Sequence, residues 1–187
     1  RFNFAICPET AKAIQQHASE LFPSVAMERI HQELHKMSYK NFDKALKLLF
    51  DFGLLKEIFP PLKEEKEGHI IQALSTLPKM PEKTPMVLSL LELFKDLTLD
   101  EQVSLLENLK CSSQEIKLAS FCFETRRLCH EKSSLRQWAH TYANPLFPTV
   151  LPVIGARLPK PEKTLFLKQH AERQEHLKDH IARITDN

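Results

Sequence analysis

Residues 41–61 read NFDKALKLLFDFGLLKEIFPP, and this stretch contains a helix start, an apolar helix face, a helix end and a break. Asn41 is one of the residue types that cap helix N-termini. Gly53 stands where the chain needs the left-handed conformation that ends many helices. Two prolines close the apolar segment that follows, which predicts a short turn and a loop. The inward face of the predicted helix is formed by three apolar residues at helical spacing: Leu46, Leu49 and Phe50.

Two more amphipathic helices are predicted upstream of this stretch. The first begins near Pro8 and continues to about Phe22, because Pro23 then stops it. Ser24 is a candidate N-cap for the second helix. Three short amphipathic helices in succession indicate a bundle. The apolar face of the second helix is formed by Met27, Ile30, Leu34 and Met37.

The chain downstream of residue 61 is also predicted to be helical. Pro78 to Lys83 is the best candidate for an internal linker, because prolines oppose helix there. Thr98 to Glu101 and Ser112 to Glu115 both match the capping box that opens a helix. Only 3 glycines occur against 12 prolines, which further favours an all-α protein. Other predicted helices cover about 67–77, 84–94, 135–142, a segment from about 148, and 162–184.

Composition limits the classes of protein and partner. With 26 basic and 24 acidic residues the formal net charge is only +2, which gives no global field strong enough to argue for a nucleic-acid or membrane partner. The 4 cysteines form no CxxC pair and indicate reduced thiols. No apolar run approaches the roughly 20 residues of a membrane span, and the start of the chain lacks the pattern of a signal peptide. We therefore expect a cytoplasmic protein with no membrane partner.

Several short motifs resemble the class II nucleotidyltransferases, the family of bacterial poly(A) polymerases and tRNA CCA-adding enzymes. Arg1-Phe2 resembles the end of the motif that reads the incoming nucleotide. Glu28-Arg29-Ile30 with Glu33-Leu34 is similar to the ERxxxE element that braces the nucleotide-reading helix. The run that follows resembles the family's "LL, GLL, FP" order through Leu48-Leu49, Gly53-Leu54-Leu55 and Phe59-Pro60.

The resemblance implies an all-α, multi-helix bundle of neck, body and tail type, with a neck-like domain at 1–61 and a body and tail domain at 62–187. It implies the RNA-binding part of a template-independent RNA nucleotidyltransferase that positions the 3′ end of tRNA or another RNA. Nucleotide addition, with Mg²⁺ and a nucleoside triphosphate, would take place in a catalytic head domain of the parent chain. No DxD element exists in this chain, so we assign it no catalytic residue, metal or cofactor of its own. The motifs do not distinguish CCA addition from poly(A) addition.

In the family, Arg1, Glu28, Arg29 and Glu33 would support the nucleotide-reading helix. The interpretation from the residues alone is different for Arg29 and Glu33. They form an i,i+4 pair, which on a solvated helix face contributes about 0.2–0.5 kcal/mol. The resemblance favours a partly buried structural brace, in which Arg29→Ala would cost about 3–5 kcal/mol if the pair were fully buried.

Positive charge is concentrated around residues 126–136. These cations either complement a helix dipole or bind RNA phosphates, and the residues alone support both roles equally. The resemblance favours RNA, so we predict a phosphate-binding surface there. Its members are Arg126, Arg127, Lys132 and Arg136, with His130 between them. The same two alternatives apply to Arg157, Lys160, Lys163, Lys168 and Arg173.

Three other features have ordinary structural explanations. The pairs His31/His35 and His176/His180 have metal-ligand spacing, but the glutamate of an HExxH site is misplaced in the first and no third ligand accompanies the second. Trp138 and Tyr142 are expected in the core.

The alternative function is a helical protein-interaction module without enzymatic role. A metal-dependent hydrolase is a third hypothesis, and it rests only on the histidine pairs.

Overall fold

The computed structural model describes residues 6–185, and every regular element in that range is a helix. The predicted all-α fold class is confirmed. The α-helices are α1 (Pro8–Gln16), α2 (Leu21–Ser24), α3 (Met27–Ser38), α4 (Phe42–Asp51), α5 (Leu54–Ile58), α6 (Glu67–Thr76), α7 (Met86–Leu90), α8 (Leu99–Asn108), α9 (Ser113–His130), α10 (Leu135–Ala143), α11 (Phe147–Ile154), α12 (Lys160–His176) and α13 (Lys178–Thr185). Short 3₁₀ helices occupy Ala18–Glu20, Pro60–Lys63, Leu77–Lys79 and Gly155–Arg157.

The helices form two compact units. Unit 1 is the chain up to Pro78 together with Ser89–Ser112, and unit 2 is Lys79–Leu88 together with the chain from Ser113 onward. The domain boundary expected at residues 61 and 62 therefore falls inside unit 1. The segment that begins at Ser89 belongs to the first unit because its apolar side chains, such as Phe94, complete the core around Phe59.

The core of unit 1 is built on the stretch that the sequence analysis began with. Gly53 has φ 76°, as the left-handed helix end predicted, and the chain reverses there between α4 and α5. Asn41 precedes α4 at φ 51°, but its side chain makes no capping hydrogen bond, so only its position was predicted correctly. Around the turn at Gly53, the side chains of Leu46, Leu55 and Phe59 are almost completely buried.

The core of unit 2 is an aromatic cluster. α10 supplies Trp138 and Tyr142, and Phe147 at the start of α11 packs on the Tyr142 ring with centroids 4.9 Å apart. His170 from α12 lies among these rings, and Leu177 closes the cluster beside α13. Trp138 and Tyr142 are both 5% exposed, which confirms that they are core residues.

Three predicted helices differ from the observed ones. The first ends at Gln16, six residues earlier than expected, and Phe22 has extended backbone angles inside α2. The helix expected over 84–94 is limited to α7, because the backbone beyond it makes i→i−3 hydrogen bonds. The long helix expected over 162–184 is divided in two at Leu177, whose side chain is buried.

Other helix ends agree with the sequence. Thr98 opens α8 with the expected reciprocal capping box, since its amide donates to Glu101 at 2.8 Å and the Glu101 amide donates to the Thr98 hydroxyl at 3.4 Å. α9 begins at Ser113, directly after the predicted cap. Within residues 6–185 no helix has the length and apolar composition needed to cross a bilayer.

Candidate nucleic-acid interface

The Glu28, Arg29 and Glu33 side chains of α3 are not partly buried together. Ile30 and Leu34 occupy the buried face of α3, and the 100° turn per residue places Arg29 on the exposed side. The Glu33 carboxylate is 2.9 Å from the Lys36 ammonium, in a pair whose two side chains are 45% and 65% exposed. The expected burial of the Arg29 brace is therefore wrong for this chain.

The family role of these residues as a nucleotide-binding neck support stays a prediction. Glu28 and Arg29 are exposed, and the Arg29 guanidinium has no hydrogen bond or ion pair with any residue in the described range 6–185. Arg1, the fourth member of the predicted set, lies outside the described residues. An exposed guanidinium on a helix face remains available to a further domain or to a ligand.

The cations of the predicted phosphate surface at 126–136 are of two kinds: some are paired or half-buried, and others are exposed without an internal partner. Arg127 is 2.7 Å from the Glu124 carboxylate on the same helix, and Arg126 is half-buried. The Lys132 and Arg136 side chains are exposed and make no hydrogen bond or ion pair within residues 6–185. These two side chains, between the end of α9 and the first turn of α10, are the ones that can contact phosphate.

The second basic group, at the start of α12, is similarly divided. Lys168 lies 3.7 Å from Glu172. The Arg173 guanidinium carbon is 4.9 Å from the centroid of the Trp138 ring, so this arginine is part of the unit 2 core. Lys160 is exposed at the N-terminus of α12, where the helix dipole disfavours a cation.

A third basic surface was not recognised from the sequence. The corner between α3 and α4 carries Tyr39, a residue that is 72% exposed, in a stretch where residues 36–47 contain four lysines and one aspartate. We call Tyr39 with Lys40 and Lys44 the corner site. Both lysines are exposed, and neither side chain makes a hydrogen bond or ion pair with the residues at 6–185. The signal available in the sequence was this local lysine excess beside an aromatic residue.

Neighbouring side chains hold the corner site in place. The His35 and Tyr39 rings meet edge to face, with centroids 5.2 Å apart and an interplanar angle of 78°. Lys36 and Lys47, by contrast, are occupied, because they pair with Glu33 and Asp51 at 2.9 and 3.2 Å. The two lysines without an internal partner, Lys40 and Lys44, lie on either side of the helix break at Asn41.

Burial perturbs titratable groups of unit 2, among them His170 and Cys129. The Tyr142 hydroxyl and His170 Nδ1 are 3.0 Å apart, and burial, followed by the nearby Arg173 charge, lowers the pKa of His170 to about 4. Burial raises the pKa of the Cys129 thiol to about 11, so its nucleophilic thiolate is scarce at neutral pH. Cys122 is buried, and His176 and His180 are exposed.

Unit 1 also contains an open apolar groove of about 710 Å³. Its floor includes Phe59 and Leu109, each 1% exposed. Its lining contains three carboxylates, Glu57, Asp100 and Glu101, and neither lysine nor arginine. Hydrogen bonds from the Thr98 backbone and side chain lower the pKa of Glu101, so its carboxylate stays ionised. An acidic apolar groove repels phosphate and therefore is not part of an RNA surface.

The comparison with known protein families gives one match, over residues 3–66. The matching family is described as "Probable RNA and SrmB-binding site of polymerase A". No curated protein and no solved structure matches the chain. The match covers about a third of the chain and includes α1 to α5, with the corner site and the Glu28–Glu33 element. This part of the chain is therefore similar to an RNA-binding region of the poly(A) polymerase type.

Proposed function

We propose that this chain is the RNA-binding part of a template-independent RNA nucleotidyltransferase, of poly(A) polymerase or CCA-adding type. It would position the RNA 3′ end for nucleotide addition by a catalytic head domain of the parent protein. The observation that carries the proposal is the match of residues 3–66 to an RNA-binding region of polymerase A. The uncommitted cations at the corner site and at 126–136 supply the local positive charge that RNA binding needs.

The chemistry of the proposed activity lies outside this chain. Two-metal nucleotidyl transfer needs closely spaced carboxylates, and no DxD element occurs among the 187 residues. The residues present therefore do not fit an Mg²⁺ site of that kind. What they offer is a helical surface on which an RNA strand is held.

RNA binding by the 187-residue chain tests the proposal directly. A tRNA acceptor-stem minihelix and a single-stranded oligoadenylate of equal length are titrated with the protein at several salt concentrations. Binding should weaken steeply with salt, because each phosphate contact releases counterions. The Lys132→Ala/Arg136→Ala variant tests the predicted surface at 126–136, because these two side chains have no hydrogen-bond or ion-pair partner in the described range 6–185. Absence of binding to both RNAs at low salt would overturn the proposed function.

The groove in unit 1 favours a second function, the binding of a protein partner. The family description names SrmB beside RNA, so RNA is one of two binding partners named for that family. The groove fits a short peptide segment with bulky apolar side chains flanked by lysines. The apolar floor would bury those side chains, and the carboxylates of Glu57, Asp100 and Glu101 would attract the flanking charges. Lys63, 2.7 Å from Glu57, leaves the other two carboxylates as the main attraction.

Two synthetic peptides separate this function from RNA binding. One carries leucines flanked by lysines, and its control carries the same leucines flanked by glutamates. Only the first should bind, and Ser104→Trp, which places an indole in the groove lining, should abolish that binding. RNA affinity should be unchanged in this variant. Equal binding of both peptides would remove the argument from charge complementarity.

A further inference from the structure

We infer that the corner site binds an unpaired base of single-stranded RNA, with the base stacked on Tyr39 and the adjacent phosphates held by Lys40 and Lys44. The inference rests on the proposed RNA-binding function and adds to it the site and the class of nucleic acid. It concerns a different surface from the cations at 126–136.

Tyr39 is unusually exposed for a large aromatic residue. Large aromatic side chains ordinarily contribute to a core, and the other described tyrosine, Tyr142, is 5% exposed. Tyr39 is 72% exposed, although Phe42, three residues later, is buried. The stability of unit 1 therefore depends on Phe42, while the ring of Tyr39 contributes little burial. A ring left in solvent beside cations has the character of a binding group.

The contact between the His35 and Tyr39 rings orients the Tyr39 ring. An isolated surface tyrosine loses rotamer freedom when it binds a base, and that loss opposes binding. The His35 ring, 5.2 Å away across an edge-to-face contact, limits the orientations of the Tyr39 ring before binding. Most of the ring surface still faces solvent, since 72% of the residue remains exposed. The arrangement is a partly preorganised stacking platform.

Lys40 and Lys44 supply the positive charge of the corner site. Lys40 follows Tyr39 directly, and Lys44 lies in the first turn of α4, beyond the left-handed residue Asn41. Asn41 at φ 51° turns the chain so that both lysines belong to one helix corner. Neither ammonium makes a hydrogen bond or ion pair within residues 6–185, so no internal partner has to be displaced by phosphate.

The combination selects single strands. Stacking on a side chain needs a base whose face is free, and the bases of a duplex are covered by their neighbours. Every base has such a face, so the site reads the unpaired state and not the sequence. An RNA 3′ end is a segment of this kind.

The experiment measures the affinity of the 187-residue chain for single-stranded oligoadenylate and for a blunt RNA duplex at several salt concentrations. Tyr39→Ala should weaken single-strand binding by about fivefold or more, the effect of losing one base–aromatic stack. Tyr39→Phe should restore it, because phenylalanine keeps the ring. Duplex binding should not change in either variant. Lys40→Gln/Lys44→Gln should lower the salt slope for the single strand by about 1.4.

Ile71→Ala is the matched control. Ile71 is 55% exposed on α6 of the same unit, and its loss should leave both affinities unchanged. Equal single-strand affinity of Tyr39→Ala and wild type, with wild type binding RNA, overturns the corner site and leaves the proposed function intact. Failure of the wild type to bind either RNA overturns both.

Discussion

The corner site in unit 1 and the basic stretch at 126–136 in unit 2 have the same charge and different surroundings. Residues 36–47 and residues 126–136 each contain four lysines or arginines and one carboxylate, and each has two cations without an internal partner in the described chain. They differ in the aromatic residue nearby. Tyr39 projects into solvent at the corner, whereas Trp138, two residues beyond Arg136, is buried in the core. The first surface can stack a base, and the second can only attract phosphate.

The largest effect is expected from the buried ring. Trp138→Ala should destabilise the protein by about 3–5 kcal/mol, because a buried tryptophan contributes packing and leaves a cavity when truncated. It also removes the cation–π partner of Arg173. Circular dichroism melts at 222 nm measure the change. The matched comparison is Tyr39→Ala, which should leave Tm almost unchanged because that ring is exposed. Similar Tm losses in the two variants would eliminate the distinction between the surfaces.

The second effect concerns His170, the histidine inside the unit 2 core. Its folded pKa of about 4 lies below the ordinary value of 6.5, so the unfolded chain binds more protons between these values. Its neutral form supports stability above about pH 6.5, and that contribution is lost as the pH falls toward 4. The loss at pH 5 should be about 1–2 kcal/mol.

Denaturant unfolding at pH 7 and pH 5 tests this effect. His170→Gln should reduce the difference in unfolding free energy between the two pH values. His140→Gln is the control, because His140 is exposed on α10 and should leave the difference unchanged. An identical pH dependence in wild type and His170→Gln would show that protonation of His170 is not linked to folding.

The third effect is on RNA binding at the basic stretch. Lys132→Ala/Arg136→Ala should weaken the binding of a minihelix duplex and lower its salt slope by about 1.8, at about 0.9 per phosphate contact. The Tyr39→Ala variant should bind the same duplex like wild type. Lys95→Ala/Lys178→Ala removes equal charge from lysines that lie 3.8 and 3.3 Å from acidic partners, and is the control. An unchanged slope would mean that these cations only complement helix dipoles.

The smallest effect is expected at Arg29. Since the guanidinium is exposed and has no internal partner in residues 6–185, Arg29→Ala should change the unfolding free energy of the chain by less than about 0.5 kcal/mol. Thermal melts of the variant and wild type measure this. A loss of several kcal/mol would restore the buried brace that the ERxxxE resemblance suggested.

The sequence alone determined the fold class and most helix positions. Local signals sufficed where the physical cause is local. Gly53 adopts the left-handed conformation because it lacks a Cβ, and Thr98 opens α8 because its hydroxyl and the Glu101 carboxylate satisfy neighbouring amides. The RNA-binding assignment of the first third of the chain was likewise accessible through the motifs between Glu28 and Pro60, in agreement with the family match.

The tertiary structure decided which side chains are available. Arg29 was expected to be partly buried and is exposed, because Ile30 and Leu34 take the inward face of α3. The predicted helix over 162–184 breaks at Leu177, since packing that residue into the aromatic cluster outweighs helical continuity. Spacing along the chain shows which cations are neighbours in sequence. The pair of Arg127 with Glu124 follows from their i,i+3 spacing on α9, but only packing decides that Tyr39, unlike Tyr142, stays outside the core.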